Sequence, residues 1–306
     1  MNAIAPTETA RRPRRSLGVA LIVLCAGAHA PAQEPEAPGE APPPVERLAE
    51  WPQLDSSAED RAKIDVQRLR KARTEEMADD AELALEAAGA GVVPFLLPGL
   101  DREKDAGALA RIERVLLKLV DARHTRLLAR EFDDRSLAIR TWCLRRCAAF
   151  PDPGVRAEAA AALAAVAKRG KNADREELYA ASLCAVSTGD LAGLDHLLDY
   201  AVDAWSERGG ELRAELEAVR GPEAVERVVP LLDAGDRQKT VAGLNLLAGC
   251  GDRPSVARVK PHLASNDNSI RIAAINAMRG IVDGDPPLDR LAVFEAIEMA
   301  REWQAR

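Results

Sequence analysis

The side chains able to do chemistry in this 306-residue chain are few and scattered. Cys143 and Cys147 stand four apart, one helical turn, a spacing that can present two thiolates to a metal. No Cys-x-x-Cys and no nearby His completes a ligand set, so both read as small core hydrophobes. A disulfide between them fits poorly inside an intact helix. Cys184 and Cys250 remain, and a bridge between those two is open on sequence. His124, His196 and His262 share no ligand spacing, and there is no His-Glu-x-x-His, phosphate-binding Gly loop or Gly-x-Ser-x-Gly elbow. Asp133-Asp134 and Asp199 with Asp203 could pair as acids, but carboxylates on charged helices are far more often solvated or capping. The chain is therefore expected to carry no catalytic residue, cofactor or metal. Arg140, Trp142, Arg145 and Arg146 form the one candidate interaction patch, since Trp and Arg are favoured at interfaces. The competing reading places Trp142 in the core beneath a salt-bridged surface.

The elements that must position these residues read as helices. Hydrophobic residues make up 47% of the chain but aromatics only 3%, and Ala and Leu dominate. That mixture suits closely packed helices and argues against strands, which prefer β-branched and aromatic residues. The fold class is all-α. The clearest stretch runs from Val256 to Val282, where two short amphipathic helices meet at a polar turn, Ser265 to Ser269. In the second helix Ile270, Ala273, Ala274, Ala277, Met278 and Ile281 share one face, with Ile272, Ile275 and Val282 as a flanking stripe. A helix apolar on two flanks needs neighbours on both sides, as inside a stack.

The pattern recurs. Val92 to Leu97, Val228 to Leu232 and Val259 to Leu263 each place a Pro (Pro94, Pro230, Pro261) inside an apolar helix, where it should kink or shorten it. An Asp-led turn and another helix follow each, at Asp101, Asp236 and Asp267. The spacings Asp101–Asp134 and Asp236–Asp267, 33 and 31 residues, suit a helix pair, whereas Asp134–Asp152, at 18, breaks the phase.

These features resemble the HEAT-repeat family, and its bacterial HEAT-like members in particular. That motif looks like Asp-x-x-Val-Arg-x-x-Ala-x-x-Ala-Leu on one helix and Val-x-Pro-x-Leu on the other. Asp267, Ile270, Arg271, Ala274, Ala277 and Met278 match it, as do Asp152, Val155, Arg156, Ala159, Ala162 and Leu163. The resemblance covers roughly residues 75–300, strongest at 152–168 and 225–283. It implies an α-solenoid of antiparallel helix pairs in which Arg156 and Arg271 hold the stack, an Asp of a neighbouring repeat being the natural partner.

The first 32 residues carry a basic stretch (Arg11, Arg12, Arg14, Arg15), an apolar run from Leu17 to Gly27 and small-x-small sites near Ala30 and Ala32. This reads as an export signal cleaved after Ala32, its apolar run being too short for a comfortable span of roughly 20 residues. Residues 33–50 read as a Pro- and Glu-rich spacer, 51–90 as an N-terminal helical cap, and 91–306 as HEAT-like repeats ending in a cap helix. Loss of the signal moves the net charge from −7 to −10. An acidic surface does not suit nucleic acid and favours basic partners. The expected function is an exported, periplasmic or extracellular, noncatalytic scaffold that binds a protein or peptide on its curved surface, with no small-molecule substrate. A lyase- or hydrolase-type enzyme on the same fold and an envelope component anchored in the inner membrane by an uncleaved signal are the alternatives.

Overall fold

The computed structural model describes residues 45–288 and 290–306, apart from the side chains of residues 204, 206–208 and 211. The export signal and nearly all of the Pro/Glu-rich spacer lie outside the described residues. Within them there are fourteen α-helices, seven 3-10 turns and no strand. The helices are α1 (Ser56–Lys71), α2 (Glu75–Ala88), α3 (Val93–Arg102), α4 (Ala106–Leu119), α5 (Thr125–Leu128), α6 (Leu137–Ala149) and α7 (Arg156–Ala167). They continue with α8 (Arg175–Ser187), α9 (Ala192–Leu216), α10 (Pro222–Leu232), α11 (Arg237–Cys250), α12 (Val256–Leu263), α13 (Asn268–Val282) and α14 (Val293–Ala305). The protein is all-helical, and helices adjacent in sequence pack as pairs, an arrangement compatible with an α-solenoid.

Two kinds of helix start give the chain its rhythm. The second helix of each pair begins directly on a polar cap. Asp105, Ser136, Asp174, Asp236 and Asp267 accept backbone N–H bonds at the heads of α4, α6, α8, α11 and α13. Each satisfies donors that the first helical turn leaves without partners. The first helices α5, α7 and α12 instead begin through a 3-10 turn headed by Asp121, Asp152 and Asp252. This distinction corrects the sequence register. Asp152 heads a first helix and Asp267 a second one, so the two best motif matches sit on opposite members of their pairs. The short Asp134–Asp152 spacing arises because it runs from a second helix to the next first one; the second-helix caps Ser136 and Asp174 stand 38 residues apart (174 − 136). Asp101 leads no turn: it lies inside α3, and α4 is capped by Asp105, which accepts from the Ala108 N–H at 2.8 Å.

Proline keeps the first helices short. Pro94 stands in the opening turn of α3, where its missing N–H is not required. Pro98, Pro230 and Pro261 lie inside helices of 10, 11 and 8 residues.

The second helices form a row in which α8 packs on α6 and α9, and α11 on α9 and α13. The 25-residue α9 is an insertion in that row, with no first helix between it and α8. Glycine lets these helices touch backbone to backbone. A Cβ on Gly193 would stand 2.3 Å from the Ser182 carbonyl oxygen, and one on Gly280 would stand 2.3 Å from that of Ala248. Close contact buries α8 from Tyr179 to Ser187 and α11 from Ala242 to Cys250 without interruption. Burying each Leu of that core contributes about 1.5–3 kcal/mol.

Candidate functional site

A concavity of about 720 Å³ lies between the segment that follows α5 (residues 129–134) and helices α6, α7 and α8. Its apolar wall is the alanine face of α7 (Ala161, Ala162, Ala165, with Val166), faced by Phe132. Small side chains on α7 leave the volume that a Leu-rich helix would have filled.

Its polar end is built by two helix heads. Ser136 caps α6, which buries Ile139 and turns Arg140 back over the preceding loop. The Arg140 guanidinium donates to the Asp134 and Arg135 carbonyls at 2.6 and 3.1 Å and to Glu177 Oε1 at 2.6 Å. Asp174 caps α8 and so places Glu177 in the first turn, where the helix dipole favours a carboxylate. Arg169 donates to the second oxygen, Oε2, also at 2.6 Å. Glu177 is wholly buried, and each of its oxygens holds one arginine.

The remaining acids near the cavity have no such neutralisation. Glu131, Asp133, Asp134 and Glu158 form no ion pair among the described residues, and the Asp134 carboxylate accepts the Ser136 N–H, at 2.6 Å. Burial, with the charges of Asp134 and Asp133, raises the Glu131 carboxyl above its ordinary range. The lining contains no His, Cys, Lys, Ser, Thr or Tyr. What this arrangement can do is hold an apolar group against alanine and a charge against carboxylates.

The four-residue interaction patch is not one surface. Arg140 belongs to the cavity, whereas Trp142, Arg145 and Arg146 line a separate groove of about 310 Å³ with Leu117. Two residues along a helix is more than half a turn of rotation, so Arg140 and Trp142 point apart. Trp142 is half-buried against the core. Arg146 donates to the Leu117 and Val120 carbonyls and lies 4.4 Å from the Phe150 ring centroid, while its Nε is buried without a partner. Burial lowers the Arg146 guanidinium from its ordinary value.

The motif residues occupy structural places. Val155 is buried, and Asp152 accepts the Gly154 N–H at 2.9 Å. Ile270 packs partly buried on the core beside the Asp267 cap. The arginines that reach a neighbouring Asp are not the expected ones. Arg126, on α5, binds Asp152 at 2.9 Å, and Arg237, at the head of α11, binds Asp267 at 2.6 Å. Arg271 instead turns back to the Ser265 carbonyl, 2.6 Å away, and Arg156 is exposed at the start of α7. Arg140 and Arg271 are equivalent: each stands four residues past its cap and bonds a carbonyl six residues back. Stepping from Asp134 to Ser136 exposes that match, since Ser136-x-x-Ile139-Arg140 then has the spacing of Asp267-x-x-Ile270-Arg271.

Cys143, Cys147, Cys184 and Cys250 are free and buried, so no Cys184–Cys250 bridge forms. Burial pushes the Cys184 and Cys250 thiols up to about 12. His124 is buried beneath Trp51, their ring centroids 5.3 Å apart, and ties the segment before α1 to α5. Among the described residues no group of three His, Cys, Asp or Glu is placed to hold a metal, and no single helix is long and apolar enough to cross a membrane. No protein-family model matches the chain, and no curated protein matches it.

Proposed function

We propose that the chain is a HEAT-like helical-repeat scaffold, exported from the cytoplasm, that binds a peptide or protein segment in the α5–α8 cavity. The observation that carries the reading is the cavity itself: about 720 Å³ with an alanine wall and a charged end, and no nucleophile or imidazole in its lining. A pocket of that size takes one or two side chains of a partner, and apolar walls with a few placed polar groups are the usual make-up of a binding site. The repeated caps and Val-x-Pro helices support the HEAT-like assignment, and the basic and apolar stretches of residues 11–27 support export.

Peptide selection tests it. A displayed library of random 12-residue peptides is panned against the full chain, and enriched clones are re-tested against Ala165→Trp, which fills the cavity. Clones that lose binding to the variant are the expected result. An unenriched library, or clones indifferent to the variant, would overturn the cavity as the binding site. Export is checked separately by mass spectrometry of the mature N-terminus, expected near Gln33; an intact Met1 would overturn it.

A further inference from the structure

We infer that the α5–α8 cavity takes a basic side chain, lysine or arginine, presented by an extended peptide segment. The inference rests on the scaffold reading above and assigns its partner chemistry.

Charge complementarity carries it. The lining sets Asp133, Asp134, Glu158 and Glu177 against Arg130, Arg140 and Arg169, an excess of one carboxylate. Arg140 and Arg169 share the single carboxylate of Glu177, one oxygen each, and are held at that end of the cavity with one positive charge left over. Arg130 lines the cavity too, with its guanidinium held by the Ala49 carbonyl at 2.8 Å. Asp133, Asp134 and Glu158, which form no ion pair among the described residues, leave the lining with one net negative charge. They come from two sides, Asp133 and Asp134 from the loop before α6 and Glu158 from α7, so a cation entering between them meets carboxylate on both flanks.

The apolar wall decides which cation. Lysine and arginine carry three or four methylenes that pack on apolar surface while the head reaches polar groups. Ala161, Ala162, Ala165 and Val166 supply that surface, and Phe132 faces it. A bare metal ion or ammonium would leave the wall unused. A volume of about 720 Å³ exceeds one side chain, leaving room for a neighbouring apolar residue of the same segment.

Three fluorescein-labelled decapeptides test the inference on the full chain by anisotropy: alternating Lys and Leu, the same with Glu for Lys, and the same with Ser for Lys. The Lys peptide is expected to bind, to weaken at least tenfold in the D133N/D134N variant and in A165W, and to weaken with salt. The control D79N/D80N, which removes exposed charge on α2, should leave its affinity unchanged. Circular dichroism establishes that each variant is folded. Lys-peptide binding unaffected by D133N/D134N, or lost equally in D79N/D80N, would overturn the inference as nonspecific attraction to an acidic surface. Preferred binding of the Glu or Ser peptide, sensitive to A165W, would overturn the basic occupant and leave the scaffold reading standing. Spermine binding at the site more tightly than the Lys peptide would replace a peptide with a free polyamine. If none of the peptides binds, both readings fall.

Discussion

Arg140 and Glu177 join two second helices that are neighbours in the row: the guanidinium at the head of α6 donates to the carboxylate in the first turn of α8, at 2.6 Å. Thirty-seven residues separate them in sequence. The same contact closes the turn before α6, through two carbonyls, and forms one end of the cavity. Registration of the helix row and the shape of the candidate site thus depend on one side-chain pair. Comparable ties recur where Arg114 meets Glu82 and Arg237 meets Asp267. Those are more exposed, and the Arg140 pair is the one in which both partners are withdrawn from water.

Removing the carboxylate should cost far more than removing the outer arginine. Glu177 is 0% exposed and Arg140 13%, so Glu177→Ala leaves a buried guanidinium without its counter-charge, a loss of about 3–5 kcal/mol. Arg169 is 39% exposed, and Arg169→Ala leaves Glu177 still bound to Arg140, at a cost of about 1 kcal/mol or less. Urea unfolding at neutral pH measures both. Equal destabilisation by the two changes would refute the central role of the Arg140 pair.

Asp152 should give the fold part of its acid sensitivity. Burial alone would raise this carboxyl, but the Gly154 N–H, Arg126 and Arg47 outweigh it and hold it below its ordinary value of 3.8. A folded-state value below the unfolded one means the carboxylate stabilises the protein above about pH 3.8. That contribution disappears as pH falls through the lower, folded value. Asp152→Asn should therefore destabilise at pH 6, lose the charge-dependent difference from wild type as pH falls below 3.8 through the folded value, and show the shallower decline. Cap loss in Asp152→Ala should add to this, at about 1 kcal/mol. The check is urea unfolding across pH 2–7 for the three proteins; parallel curves would show that Asp152 does not titrate with folding.

Much of this architecture could be read from the residues, and the unread part has physical causes. Periodicity from Ile270 to Ile281 locates α13 because an amphipathic helix writes its buried face at fixed intervals. Asp236 and Asp267 locate helix heads because a cap needs its oxygen within a residue or two of the first turn. Asp134 misled because it lies beside the true cap, Ser136, and a short side chain of either type serves. The insertion of α9 is hidden because its neighbours, α8 and α11, are buried on every side over Tyr179–Ser187 and Ala242–Cys250 and carry no mark of which helix touches them. The cavity is equally silent: Ala161, Ala162 and Ala165 read as ordinary close-packing positions, and only the spacing of α6 and α8 shows that nothing fills the space beside them. Arg140 was recognisable as notable but not as part of an ion pair, since Glu177 lies in a different helix pair.

Glycine gives the sharpest test of how closely the row is packed. Gly280 on α13 faces the Ala248 backbone of α11, and an added methyl would sit 2.3 Å from its carbonyl oxygen and 3.1 Å from its Cα. Backbone cannot give way as a side-chain tip can, so Gly280→Ala must push the two helices apart, at about 1–3 kcal/mol. Gly210, within α9, is the opposite case: among the described residues a Cβ there meets nothing within 4 Å, and its φ is not in the left-handed region. Gly210→Ala should stabilise the protein by about 0.5–1 kcal/mol, since alanine restricts the unfolded chain and favours the helix. Thermal unfolding of the two variants beside wild type should shift in opposite directions. If Gly280→Ala is neutral or stabilising, α11 and α13 do not approach as closely as their backbones stand, and the uninterrupted burial of α11 would have to come from another packing of the row.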